Sequence, residues 1–376
     1  MSGHTVVILG AGASYTYGLP LGKGLVDRIR DLLPNSATTE LNGVSKTLYA
    51  QICEDAHLLK AWQSQSHRDP IYALFEFRAR LVHSDPRSID EFLSRDFQLV
   101  TPVFRQIGKL AIAHVIATSE VASIFEQLER SDDPMKDHWY RYLWKDCLND
   151  RCRTLDDLKA KKLRFVSFNY DRSLEYFLAS RIAATYLTPP GDALADSRHQ
   201  AWRTTGLQEI NQIFQITHPY GTLGSLLAVP YGNPNNPQNH GKHMAREIRV
   251  INEERVDEED GFSDAKKWVA EASRVVFLGF SYDPTNMQRL GLATGLPRRR
   301  ASNSGIHHCE LFPLTYGLER AERETLRKFY FVEHFPPATA HPMTWNPRND
   351  EYALSEVHQN MSITQYLRRH GALSAL

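Results

Sequence analysis

Residues 5–14 read Thr-Val-Val-Ile-Leu-Gly-Ala-Gly-Ala-Ser, and this run constrains the fold more than any other. Four apolar residues, Val6 to Leu9, lead directly into Gly10-x-Gly12. An unbroken apolar run bounded by glycine is the pattern of a strand buried on both faces, as in a parallel sheet. Glycine lets the following turn tighten and brings backbone N–H groups close to a ligand. A helix from Ser14 to about Leu33 would face that turn with its positive end. The segment thus predicts the first strand–turn–helix of a dinucleotide site. It departs from the redox fingerprint, which needs a third glycine where this chain has Tyr15. The acidic ribose ligand of that fingerprint, about 20 residues on, falls nearest Asp31, inside a helical pattern of Leu25, Ile29, Leu32 and Leu33. An ordinary dehydrogenase fits poorly.

A chain of 376 residues has room for about two domains. Hydrophobic content of 42% and charged content of 23% are those of an ordinary globular protein. Lys plus Arg (44) balances Asp plus Glu (44), so no global field draws the chain to nucleic acid or to a membrane. No apolar run approaches the roughly 18 residues of a membrane span, and no signal-peptide pattern precedes the first strand. Cys53, Cys147, Cys152 and Cys309 are scattered without a C-x-x-C pair, which predicts reduced thiols in a cytoplasm, most of them packed as small hydrophobes, and no metal site.

The expected architecture is α/β: a Rossmann-like, doubly wound parallel sheet with an inserted helical module. Residues 1–38 and 160–340 form the sheet domain, 39–159 the helical insert, and 341–376 a tail that packs as one amphipathic helix (Ile363, Tyr366, Leu367) or serves as an interface. Within the insert, Leu48 to Leu59 suits one helix, Tyr72 to Leu81 another, residues 101–130 a long apolar one and Trp139 to Trp144 a further one. Strand character returns at 163–168, 213–217, 247–251, 274–280 and 307–312, with helical patterns at 172–184, 264–272 and 318–329. Residues 188–205 and 229–241 read as loops, and the acidic run 253–260 as a solvated segment.

In an open α/β sheet, ligands bind at the carboxyl ends of the strands. Four such ends carry glycine or polar groups. Besides Gly10-Ala11-Gly12-Ala-Ser14, they are Phe168-Asn169-Tyr170-Asp171, Thr217-His218-Pro219-Tyr220-Gly221, and Gly279-Phe280-Ser281-Tyr282-Asp283 with Asn286 beyond. Each has a plainer reading. Asn169 or Asp171 can cap the helix that starts near Arg172, and a single histidine is usually structural. Tyr15, Tyr17 and Tyr282 line a pocket or fill core. His240 and His243 have a metal-like interval but sit in a loop pattern with no third ligand, and Arg298-Arg-Arg300 reads as a solvated cluster.

Taken in order, these segments resemble the sirtuins. Gly10-Ala-Gly12-Ala-Ser14 followed by Gly18-Leu-Pro20 is similar to the sirtuin opening, Asn169-x-Asp171 to its Asn-x-Asp pair, His218 to its histidine, and Gly279-Phe-Ser281 to its late ribose-holding turn. Phe-Asn-Tyr-Asp, with Ser88-Ile-Asp-Glu-Phe-Leu93 upstream, resembles the divergent sirtuin-like NAD hydrolases of bacterial antiphage defence. The chain lacks the four-cysteine zinc module of the deacylases, has Leu21-Gly22-Lys23 after Pro20, and inserts Pro219 and Tyr220 between the histidine and its glycine.

The resemblance implies NAD as substrate and no metal. Gly10, Ala11, Gly12, Ser14 and Pro20 would hold the phosphate side, and Gly279, Ser281 and Asn286 the far ribose. Asn169 would position ribose or water, His218 would act as general base, and Asp171 would orient Asn169 or stabilise the cationic ribose. It implies an effector of abortive infection held in check by homo-oligomerisation or by a separate partner, such as a HerA-type ring ATPase or a short Argonaute. Protein deacylation, ADP-ribosyl transfer and non-catalytic nucleotide binding remain alternatives.

Overall fold

The computed structural model describes residues 4–36, 41, 43–66, 69–94, 102–131, 138–187, 206–210, 212–250, 261–292, 299–300, 306–307, 310–313, 362–370 and 373. The fold is α/β. Seven strands are described: β1 (His4–Leu9), β2 (Leu163–Ser167), β3 (Gln215–Thr217), β4 (Ala272–Leu278), β5 (Arg299–Arg300), β6 (Ile306–His307) and β7 (Glu310–Pro313). Five of them form one parallel sheet in the order β3-β2-β1-β4-β7. The chain moves outward from β1 through β2 to β3, then returns to the other side of β1. That reversal makes the β1/β4 boundary a topological switch point, where open sheets of this kind hold ligands.

Alternation along β1 sends its apolar run to two cores. Val7 and Leu9 face a large cluster shared with the helices between β1 and β2, whereas Val6 and Ile8 face a smaller one with Ala265, Trp268 and Val269 of the helix Gly261–Glu271. Helices therefore cover both faces, which is why the strand shows no polar alternation. The inserted helices are packed on the sheet itself. Pro102–Ser119, with fourteen buried residues, runs through this layer.

Several expected elements are divided or moved. The helix expected from Ser14 to Leu33 is broken: a turn at Ala11–Ser14 and Tyr15–Tyr17 ends at Gly18 in the left-handed region (φ 86°), and the helix proper is Gly22–Leu32. The 48–59 helix is two, Gly43–Cys53 and Ala56–Ser66, because the Asp55 carboxylate caps the second by accepting from His57 and Leu58 N–H. The 101–130 stretch is likewise Pro102–Ser119 and Ser123–Glu129, with Glu120 turned inward at the break. After Trp139–Tyr142 the backbone continues as a π-helical segment, Leu143–Leu148.

The strand expected at 247–251 is absent over its described residues, 247–250. Glu247 ends the helix Asn236–Glu247, and Arg249 N–H bonds to the Tyr220 carbonyl outside any ladder. That helix also replaces the expected 229–241 loop from residue 236 onward, carrying His240 and His243; Pro237 at its first turn is tolerated because no N–H is needed there. Ile213 is helical, so β3 is shorter than expected. The 307–312 stretch splits between β6, which pairs antiparallel with β5, and β7 in the main sheet. The expected features at 188–205, 253–260 and 318–329 lie outside the described residues. In the tail, Ile363–His370 is a helix with Ile363, Tyr366 and Leu367 buried, as expected. No single helix among the described residues is long and apolar enough to cross a membrane.

Candidate functional site at the carboxyl edge

Register brings the strand ends to one level. Leu9 pairs with Ser167 on one side and Leu278 on the other, and Val166 pairs with Thr217. The residues that follow, Gly10, Phe168, Gly279 and His218, therefore emerge side by side.

The glycines serve a packing role that the sequence does not reveal. A Cβ on Gly10 would stand 2.4 Å from the Gly279 carbonyl oxygen, and one on Gly12 2.8 Å from Gly279 Cα. Gly12 N–H donates to Gly279 O (3.0 Å) and Gly10 N–H to Leu278 O (3.0 Å), while Ala13 N–H donates to Gly10 O (2.9 Å). The β1 and β4 loops are thus interlocked backbone to backbone. This corrects the expectation that Gly10 and Gly12 turn their N–H groups toward a ligand, because those donors are already used.

Ser14 is buried and stands at the centre of the next layer. Asn169 Nδ2 donates to Ser14 Oγ (2.9 Å) and to Gly10 O (2.9 Å), tying the β2 loop to the β1 loop. The Ser14 hydroxyl also acts on the Asp171 carboxyl and the Tyr140 hydroxyl, opposing the rise that burial imposes on each. Ser14 is therefore an internal hub rather than an outward phosphate ligand. Asp171 also accepts from Ser173 N–H (3.1 Å), so the capping reading of this residue holds as well. Burial raises its carboxyl above the ordinary carboxylate range, against the hydrogen bonds from Ser173 and Ser14.

His218 is held at both nitrogens. Nδ1 lies 3.0 Å from the Asn169 carbonyl, which can only accept, so Nδ1 carries a proton. Nε2 lies 2.7 Å from Glu175 Oε1. Burial pulls the imidazolium down, but the Glu175 charge and hydrogen bond, the Asn169 carbonyl and Asp171 together outweigh it and raise the pKa. The shift favours the imidazolium paired with Glu175 over the free base expected from the sequence. Glu175 was missed in the sequence, although it lies four residues after Asp171, one helical turn along Ser173–Tyr186. Tyr140 carries no such signal, since it reaches Ser14 from the insert.

The Asn-Tyr-Asp turn is anchored from behind. Arg172 and Glu120 form a fully buried ion pair at 2.5 Å, with Arg172 Nη1 also donating to the carbonyls of Val229 (2.6 Å) and Gly224 (3.1 Å). Tyr170 donates its hydroxyl to Asp90 of the Ser88–Leu93 motif; burial pushes that carboxyl up to about 6, while the tyrosine hydrogen bond opposes the rise. Toward β4, Phe168 packs on Phe280 (4.9 Å between ring centres) and Tyr220 (5.8 Å), and Tyr220 OH donates to Asn286 Oδ1 (2.5 Å).

The structure therefore joins Gly10, Gly12, Ser14, Asn169, Asp171, His218 and Gly279 in one connected cluster, with Asn286 tied to it through Tyr220. Ala11 and Pro20 are half-buried on its β1 side, and Ser281 is exposed at the rim. Comparison with known proteins adds no assignment: no family model matches the chain, and no curated protein does.

Proposed function

We propose that this protein hydrolyses NAD, breaking the bond between nicotinamide and ribose to release nicotinamide, ADP-ribose and a proton. The observation that carries this reading is the convergence of Asn169, Asp171, Glu175 and His218 beyond the ends of β2 and β3, tied to the β1 loop through Gly10 and Ser14. Three carboxylate-rich or amide groups there suit a reaction in which positive charge develops on a sugar ring, as in glycoside hydrolysis. The resemblance of the motifs to sirtuin-like hydrolases supports the same substrate.

In this mechanism the buried Asp171 and the half-buried Glu175 supply the negative potential that the cationic ribose needs. Asn169, fixed by Ser14 and Gly10, positions the ribose or the attacking water. As water adds to the anomeric carbon, its proton passes to the Glu175–His218 pair and then to solvent. The Glu175 carboxylate takes that proton while His218, bonded to it through Nε2, holds it in place, so the two residues work as a unit. Hydrolysis of a central cofactor requires restraint. Self-association or a separate sensor or ATPase partner would provide it, in the manner of an antiviral abortive-infection effector.

A second reading, a nucleotide-binding subunit without turnover, is favoured by the full engagement of both His218 nitrogens. Chromatography of NAD incubated with the full chain, alone and with its partner, separates the two. The hydrolase releases nicotinamide and ADP-ribose in equal amounts, and Asn169→Ala slows this by roughly 100-fold or more, as loss of a positioning group does. An Asn169→Ala protein that cleaves as fast as the parent rules the mechanism out. Nicotinamide without free ADP-ribose, seen only with an added peptide, would mark a transferase or deacylase.

A further inference from the structure

A cleft of about 500 Å³ opens beside the Ser173–Tyr186 helix, and none of the strand-end residues lines it. Its floor holds two aromatic rings, Trp144 and Phe177. Its wall is formed by the π-helical segment Leu143–Leu148, and π-helical turns recur at functional sites because they cost stability that only a role repays.

The charges around it are unbalanced. Both acids in the lining are matched, Glu129 by Arg181 and Glu126 by Arg130 at 3.6 Å. Arg141 and Lys145 are exposed cations, four residues apart on the same wall. Neither has a carboxylate partner among the described residues. Two unmatched cations beside an aromatic floor fit an anion attached to a flat ring. Arg181 reinforces that geometry: its guanidinium lies 5.0 Å over the Phe177 ring and is fixed by Glu129, which gives a planar surface for stacking. The volume lies within the usual range for small-ligand sites, roughly 300–1,000 Å³.

We infer that this cleft binds a small anion carrying a planar ring, of the nucleoside monophosphate kind. Arg141 and Lys145 take the phosphate, and the ring lies on Trp144 and the Arg181–Phe177 stack. The site is separate from the strand-end cluster but in contact with it: Phe177 is two residues beyond Glu175, and its ring packs 5.5 Å from that of Tyr140, which shares Ser14.

The test is titration calorimetry of the full chain with AMP, with inorganic phosphate as the ringless control. AMP binds, and phosphate alone binds more weakly. Arg141→Ala with Lys145→Ala weakens AMP by about tenfold or more, as loss of charge-assisted contacts implies. Lys145→Gln alone gives a smaller loss in the same direction, which covers poor folding of the double variant. Asn169→Ala leaves this affinity unchanged, so failure here is independent of the NAD reading. No heat with AMP, equal affinity in parent and double variant, or loss on Asn169→Ala instead would overturn the assignment.

Discussion

Replacing Gly279 with alanine tests the interlock on which the whole strand-end cluster rests. Residue 279 has φ 59°, and a Cβ there would stand 2.0 Å from Ala13 N, 2.3 Å from Gly12 C and 2.6 Å from Gly12 Cα. All three are backbone atoms, so no side-chain rotation relieves the clash. The left-handed conformation alone costs alanine about 1 kcal/mol. Forcing β1 and β4 loops apart adds an overpacking cost of about 1–3 kcal/mol, and it sacrifices the Gly12 N–H bond to Gly279 O. Gly291 supplies the control: its φ is 76°, but a Cβ there meets only Lys266 side-chain methylenes at 3.4 Å. Gly291→Ala should therefore lose about 1 kcal/mol and Gly279→Ala roughly 2–4 kcal/mol, by urea unfolding followed through tryptophan fluorescence. Equal losses in the two variants would show that the loops are not interlocked, and the placement of Ser14 against Asn169 would fall with them.

Other expectations concern charge. Glu120→Ala strands the Arg172 guanidinium in the core and should cost about 3–5 kcal/mol in the same assay; a loss under 1 kcal/mol would mean the pair is not buried. The His218–Glu175 pair contributes stability that is fully present below the unfolded histidine value of 6.5 and fades as pH rises through the higher folded value. The gap between parent and Glu175→Gln should thus narrow from pH 6 to pH 9, and a constant gap contradicts the ion pair. His138 behaves oppositely: burial, aided by Arg141, lowers it to about 4, so its contribution is lost as pH falls from 6.5 toward 4. That loss amounts to about 3 kcal/mol, and His138→Phe should unfold with a flatter acid limb than the parent. An unchanged acid limb would place His138 in contact with water.

The sheet was legible because its causes are local. An apolar run such as Val6–Leu9, with no polar alternation, has only a doubly covered strand to occupy, and β2 and β4 announce themselves in the same way. The polar strand ends were legible for the same reason, since topology puts any residue just past a parallel strand on the carboxyl edge. Helix boundaries were less so. Whether Gly18 or Asp55 breaks a helix depends on a single left-handed residue or a single cap, worth about 1 kcal/mol and easily hidden within an apolar pattern.

The roles of the edge residues were not legible, and the reason is physical. A glycine that admits a ligand and a glycine that admits another backbone look identical along the chain; only the 3.0 Å bond from Gly12 to Gly279, across 267 positions, distinguishes them. The protonation of His218 likewise depends on Glu175 and the Asn169 carbonyl meeting around one ring, and the identity of the Ser14 hub depends on Tyr140 arriving from the inserted helices. Composition and periodicity act within one or two turns of chain. Hydrogen-bond partners and desolvation arise between segments that only packing brings together.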